Sequence, residues 1–331
     1  MTSTSVDVAR RAGVSQSAVS LVFGGKAVGR VGVKASRAIL KAARELDYRP
    51  NIAAQTLRSG HSRLLLLAVP DIDNPYFARA LKGAEQGARK HGYGVALAAV
   101  QQERDWQTIV LDSLLSHSVE GFLFFAMQPP SAKERRALLG KAVLVDESSR
   151  GFPSIVLDIA AGIRTALGHL RERGHTKIGH LAAAVNLETF ALRRATYLAT
   201  LHDARLPLRE AYQASAPFRI EDASDAGRKI LSVPDRPSAI LCDSDVLAVG
   251  VYKAAKSLGI AIPDRLSVVG FDDSLIARTV DPELTTVAVP AESIGAHAVE
   301  LLLNVLRGSN GPSRSTVPLN LVIRESTKVI A

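Results

Sequence analysis

Beyond residue 62 the chain alternates between apolar runs of strand length, at 64–69, 93–100, 122–126, 143–145 and 155–157, and segments with apolar residues at three-to-four spacing, such as 77–91 and 106–117. A run that is apolar at nearly every position suits a strand covered on both faces, and strands separated by crossover helices pair in parallel. The rhythm resumes at 177–182, 239–242 and 266–271, interleaved with helical segments at 162–173, 190–202, 222–231 and 245–258. Roughly ten strands suit two lobes better than one open sheet. The class expected is α/β, a two-lobed body with parallel sheets. Open α/β sheets bind small molecules at the carboxyl ends of their strands, so a cleft between the lobes is implied. A strand at 284–289, a helix at 293–306 and a strand at 319–323 close the chain, with a Gly, Pro, Ser and Asn turn cluster at 308–315.

A length of 331 residues calls for two or three folding units. With 47% apolar and 22% charged residues the balance is that of a soluble globular protein. The single cysteine, Cys242, permits no intrachain disulfide and no thiolate-rich zinc site, which favours a reducing compartment. The longest apolar runs, 64–69 and 122–127, fall far short of the roughly 20 residues that span a bilayer, and the N-terminus lacks the apolar stretch of a secretory signal. The expectation is a cytoplasmic protein with no membrane partner.

Charge is distributed unevenly. Residues 1–63 hold eleven Lys or Arg against Asp7, Glu45 and Asp47, a surplus of eight, while the other 268 residues hold thirty basic and twenty-nine acidic side chains. A basic head on a balanced body points to a polyanionic partner for the head alone. Ser5 is placed to cap a short helix through Ala12, Gly13 suits the positive φ of a tight turn, and Ser15 is placed to cap a second helix to about Phe23. This is a helix-turn-helix layout, with Ala9, Val14 and Val19 where the two helices pack. A third helix at 34–46 carries Ala35, Ile39, Ala42, Ala43 and Leu46 on one face and completes a three-helix domain.

Catalytic motifs are missing. No Gly-x-Ser-x-Gly, His-Glu-x-x-His, Gly-x-x-x-x-Gly-Lys or Gly-x-Gly-x-x-Gly string occurs. His169, His175 and His180 lack the helical spacing of metal ligands and read as surface or loop residues. Asp272 and Asp273 are neighbours at a strand end and point apart, which disfavours a general acid and base pair. Trp106 reads as packing. Neither an enzyme nor a bound cofactor or metal is expected.

Several strings together carry a resemblance: Val6-Asp7-Val8-Ala9-Arg10-Arg11-Ala12-Gly13-Val14-Ser15, Ala18-Val19-Ser20, Leu46-Asp47-Tyr48-Arg49-Pro50-Asn51, Asp73-Asn74-Pro75-Tyr76-Phe77, Arg173-Gly174-His175, Val268-Val269-Gly270-Phe271-Asp272-Asp273, Leu284-Thr285-Thr286-Val287 and Arg324-Glu325-Ser326-Thr327. In this order and at these intervals they make the chain resemble the LacI/GalR family of bacterial transcription regulators over essentially its whole length. The resemblance implies a helix-turn-helix domain at 1–50, a hinge helix and linker at 51–61, and a periplasmic-binding-protein-like effector and dimerisation domain at 62–331. Its first lobe would take about 62–157 and 289–317 and its second about 158–288 and 318–331, with three crossings between them and with 284–289 and the following helix returning to the first lobe.

The same resemblance implies a ligand-responsive repressor that binds a near-palindromic operator of double-stranded DNA as a homodimer or tetramer. The DNA-binding positions are Ser5, Gln16, Ser17, Ser20, Leu21, Arg30, Asn51, Ala54, Leu57 and Arg58. Gln16 and Ser17 would read base edges in the major groove, Leu21 can touch a thymine methyl, and Leu57 would wedge open a base step in the minor groove. Arg30, Lys34, Arg49, Asn51 and Arg58 are candidates for phosphate contacts. The hinge, about nine residues long, is too short to be a stable helix alone and should fold only when docked. Effector positions map onto Tyr76, Phe77, Asp146, Arg193, Phe218, Ser244, Asp245 and Asp272. Arg193 and Asp272 suit a polyhydroxylated ligand, so a sugar or sugar derivative is the first expectation and a purine or nucleoside the second. A solute-binding protein without a transcriptional role would share the body but has no use for the basic head.

Overall fold

The computed structural model describes residues 3–24, 27–48, 61–100, 112, 119–309 and 314–330. The chain divides into two compact units, Met1–Ser62 and Arg63–Ala331.

The first unit holds three helices, α1 (Ser5–Ala12), α2 (Gln16–Phe23) and α3 (Val33–Glu45). Ser5 is not the cap of α1. Thr4 is, because Thr4 and Asp7 form a reciprocal box in which each side chain accepts from the other's backbone N–H, leaving Ser5 as the first helical residue. Gly13 ends the helix at φ 66°, a conformation open to glycine without steric cost, and the Ser15 side chain accepts from the Ala18 N–H at the start of α2. Val8, Val19 and Ile39 are almost fully enclosed, and each contributes about 1.5–3 kcal/mol on burial. Ala42 and Ala43 of α3 join them, with Val14 and Leu46 half-buried at the rim and Ala9 keeping the helices close.

The second unit contains two six-stranded sheets. The first sheet uses β1 (Leu64–Val69), β2 (Gly94–Ala99), β3 (Gly121–Phe125), β4 (Ala142–Val145), β5 (Ser154–Leu157) and, from late in the chain, β11 (Arg314–Val317), in the order β11-β5-β4-β3-β1-β2 and all parallel. The second uses β6 (Ile178–Ala183), β7 (Gln213–Ala216), β8 (Ala239–Cys242), β9 (Ser267–Asp272), β10 (Thr285–Ala288) and β12 (Asn320–Val322), in the order β12-β10-β9-β8-β6-β7. Only β12 runs antiparallel among these pairs. The chain therefore crosses from sheet to sheet after β5, after β10 and after β11. The 284–289 strand stays in the second sheet, where β10 pairs with β9 from Thr285↔Val269 to Ala288↔Asp272; it is the helix after it that returns.

The helices of this unit are α4 (Pro75–Lys90), α5 (Ala132–Leu138), α6 (Ile159–Glu172), α7 (Glu188–Asp203), α8 (Ile220–Leu231), α9 (Asp245–Ser257) and α10 (Ala291–Leu306). The helices α4 and α10 pack almost backbone to backbone: a Cβ on Gly83 would lie 1.9 Å from the Glu292 carbonyl oxygen, and one on Gly295 2.0 Å from that of Ala80. That contact fixes α4, whose first turn faces the cleft. Three elements had no counterpart in the apolar pattern. Helix α5 is short and charged, β7 reads Gln-Ala-Ser-Ala and exists through its ladder to β6, and β11 is held at a sheet edge by β5. The helix expected at 106–117 lies, apart from residue 112, outside the described residues.

The three histidines read as surface residues are buried instead. His169 bonds to the Thr327 hydroxyl at 2.9 Å, His175 to Ser238 and to the Lys328 carbonyl, and His180 to Asp243 at 2.9 Å. His175 has both ring nitrogens engaged by distant segments and His169 and His180 one each, which lowers the cost of burying the neutral imidazole. Burial holds His169 down at about 4 and lowers His175.

Candidate functional site

On the head, Gln16, Ser17, Ser20 and Leu21 fall within one broad arc of α2, and none of them belongs to the core that Val19 joins. Gln16 and Ser17 are exposed, and Ser20 and Leu21 are half-buried. Gln16 Nε2 donates to the Ser5 hydroxyl at 3.0 Å, so the start of α1 orients the first side chain of α2, while Ser15 and Ser17 share a hydroxyl bond of 2.8 Å. Arg30 is exposed in the turn before α3, and Lys34 is exposed in its first turn. Arg49, Asn51, Ala54, Leu57, Arg58 and Trp106 lie outside the described residues.

Between the two sheets of the body lies a cavity of about 480 Å³. That is within the range of small-ligand sites. Both lobes line it. Three of its walls begin at strand ends where the backbone turns left-handed: Ala126 after β3 (φ 48°), Asp146 after β4 (φ 65°) and Asp272 at the end of β9 (φ 113°). Such a turn is costly for an L-residue, of order 1–3 kcal/mol, and here it aims each residue into the cleft.

Tyr76 and Phe77 enter from the first turn of α4, where Asn74 caps the helix by accepting from the Tyr76 N–H at 3.0 Å and Pro75 supplies the first helical φ. The Tyr76 hydroxyl donates to Asp146 Oδ2 at 2.7 Å. Burial pushes the Asp146 carboxyl up to about 6, against the pull of that bond and of Arg193. Across the cleft, α7 presents Arg193, whose guanidinium carbon sits 3.7 Å from the centre of the Phe271 ring and 4.8 Å from that of Phe190. The same guanidinium donates to the Asp243 carbonyl. Burial raises Asp272 well above the usual carboxylate range, and Asp245 adds to the rise while Arg193 opposes it.

Six of the eight mapped effector positions, Tyr76, Phe77, Asp146, Arg193, Phe218 and Asp272, line this one cavity. Ser244 and Asp245 do not. Ser244 caps α9 by accepting from the Leu247 N–H, and Asp245 accepts from Ser274 N–H and hydroxyl at 2.7 and 2.9 Å and from the Thr286 hydroxyl at 2.6 Å. Both side chains are engaged within their own lobe. Asp243 faces the cavity in their place, one residue earlier, with its carboxyl tied to His180 and to the Ala183 N–H. Burial opposes its charge, but His180, Arg193 and that amide hold the carboxyl below its ordinary value.

Thr189 and Phe190 are lining residues that the strings did not bring forward. They lie four and three positions before Arg193, so helical period from Arg193 would have found them. Among the described residues, three buried side-chain polar atoms have no hydrogen-bond partner: Asp146 Oδ1, Thr189 Oγ1 and Arg193 Nε, and all three residues line the cavity. Elsewhere in the described chain no cluster of His, Cys, Asp and Glu is arranged to hold a metal, and no helix is long and apolar enough to cross a membrane.

Comparison with known proteins matches residues 5–51 to the model of bacterial regulatory proteins of the lacI family, and residues 167–327 to the periplasmic binding protein-like domain. The HTH-type transcriptional repressor CytR of Escherichia coli (strain K12) is 30% identical over 332 residues, 99% of this chain and 97% of that protein. The chain belongs to the lacI family of bacterial regulatory proteins. The ribose operon repressor of Halalkalibacterium halodurans is 30% identical over 97% of this chain and 96% of its own. Among solved structures, the Lac repressor dimer bound to operator and the anti-inducer ONPF superposes with a TM-score of 0.86 at 25% identity, covering 99% of this chain and 100% of that one. As a lacI-family member the protein is a DNA-binding transcription regulator with an effector-binding body, and not an enzyme.

Proposed function

We propose that the protein is a cytoplasmic repressor that binds a near-palindromic operator as a homodimer and is controlled by a sugar or sugar derivative held in the interlobe cavity. One observation carries the ligand class: the three unpartnered buried polar atoms all belong to residues that line one cavity, and four aromatic side chains share that lining. Asp146 Oδ1 accepts, Arg193 Nε donates and Thr189 Oγ1 does either. A polyol, whose hydroxyls donate and accept in turn, satisfies all three, and its apolar ring face suits Tyr76, Phe77, Phe190 and Phe218. The name of the ribose operon repressor supports the sugar, and the operator-bound Lac repressor dimer supports the twofold arrangement. The four aromatic side chains also suit a flat base, which makes a nucleoside the second reading.

In this reading Gln16 and Ser17 choose bases, Arg30 and the other basic groups supply salt-sensitive affinity, and the 51–61 segment orders on DNA. Ligand changes the angle between lobes and so the spacing of the two copies of that segment. The test is a thermal-shift screen of sugars and nucleosides, followed by operator release with each hit. A ligand at 100 times its Kd should stabilise the body by about 2.7 kcal/mol. Asp272→Ala should bind operator normally and lose the response, whereas a retained response would remove Asp272 from the site.

A further inference from the structure

The Asp272–Asp273 turn is left-handed at two successive residues, with φ 113° and 49°. Its own lobe grips it from two directions. Arg324 donates to Asp273 Oδ1 at 2.5 Å and to the Leu284 carbonyl at 2.8 Å, and Asp245 accepts from Ser274. The third hold comes from the other lobe. Arg79, one turn after Tyr76 and Phe77 on α4, reaches across the cleft and donates from Nη1 to the carbonyls of Asp272 at 3.2 Å and Asp273 at 2.7 Å. The lobe that carries Tyr76 is thereby bonded to the backbone that aims the Asp272 carboxyl into the cavity. Any change in lobe angle strains or breaks these two bonds, and any ligand that draws on Asp272 pulls on them.

Resting on the effector-cavity reading, we propose that Arg79 is a positioning residue that locks the Asp272 turn to the opposite lobe, so that occupancy of the cavity is transmitted to the lobe angle. It touches no ligand atom in this scheme and acts only through the two carbonyls. A side chain without a guanidinium should free the turn. Lysine, with one ammonium for two acceptors 3.2 and 2.7 Å from the present donor, should restore the hold in part.

The experiment compares the full-length protein with Arg79→Met and Arg79→Lys by hydrogen exchange and by operator binding with and without D-ribose or adenosine. Exchange at the Asp273 and Ser274 amides, which donate to Thr286 and Asp245 in the folded state, should speed up roughly tenfold in Arg79→Met and less in Arg79→Lys, with other body amides unchanged. Ligand-dependent release of operator should weaken roughly tenfold in Arg79→Met with recovery in Arg79→Lys. Amides that exchange as in the unmodified protein overturn the proposal, and so does a loosened turn with full ligand response. If the unmodified protein responds to neither probe, D-ribose and adenosine are what fail as effectors, and the exchange measurement alone decides Arg79. Should Arg79→Met not fold, Arg79→Gln, which keeps one donor group, takes its place.

Discussion

Replacing Asp146 by Asn tests the cavity without any ligand in hand. The carboxyl is pushed up to about 6 from an ordinary value of 3.8, and its Oδ1 atom is buried without a partner. A displacement of roughly two pH units corresponds to about 3 kcal/mol, at about 1.4 kcal/mol per unit. Asp146 keeps part of its surface, so solvent screening brings the working figure to about 1–2 kcal/mol. The sign follows from proton binding. Between pH 4 and 6 the unfolded chain has released this proton while the folded body still holds it, so stability conferred by the neutral form falls as pH rises through that window.

Asparagine stays neutral throughout and still offers an oxygen to the Tyr76 hydroxyl. Asp146→Asn should therefore unfold at a temperature a few degrees higher than the unmodified protein at pH 7.5, roughly 2–4 °C per kcal/mol for a body of this size. The gap should close by pH 4. Removing this charge also relieves Asp272, which acts in the same direction. Circular dichroism melts at half-unit steps from pH 4 to 8 measure both curves. A variant that melts lower at pH 7.5, or a gap that survives acidification, refutes the assignment of Asp146 as a buried carboxyl held for something other than stability. Ligand affinity should move oppositely, weakening by about 1.5–3 kcal/mol as a charge-assisted bond is lost.

Gln16→Ala should relax base preference at one position of each half-site by about 1–3 kcal/mol while leaving the salt dependence unchanged, measured by gel shift on single-substitution operators. Leu57→Ala should remove specific but not nonspecific DNA binding, and unchanged operator affinity in a fluorescence titration would end the wedge role. A chain lacking residues 1–62 should remain folded and keep the thermal shift with ligand, because the body is a compact unit of its own; a melted product would contradict the boundary.

Pattern in the sequence was enough for most of the architecture. The apolar runs became β1, β3, β4, β8 and β9 because a strand enclosed on both faces must be apolar at nearly every position, a constraint visible without a fold. The head was legible for a similar reason: turn glycine, cap and helical period are local, and even the error at Thr4 displaced the cap by one residue. Short elements without an apolar pattern, α5, β7 and β11, were invisible because neighbours hold them in place.

What the tertiary structure alone decided is which polar side chains are free to act. Asp243, Ser244 and Asp245 are consecutive and all buried, yet one is locked to His180 and the Ala183 N–H beside the cavity, one caps a helix and one pins the Asp272 turn. Likewise the three histidines looked exposed until Thr327, Ser238 and Asp243 arrived from far along the chain to satisfy them. Residue type announces that a group can bond. Whether its partner is a ligand or the protein itself depends on contacts between distant segments, and those exist only once the chain has closed.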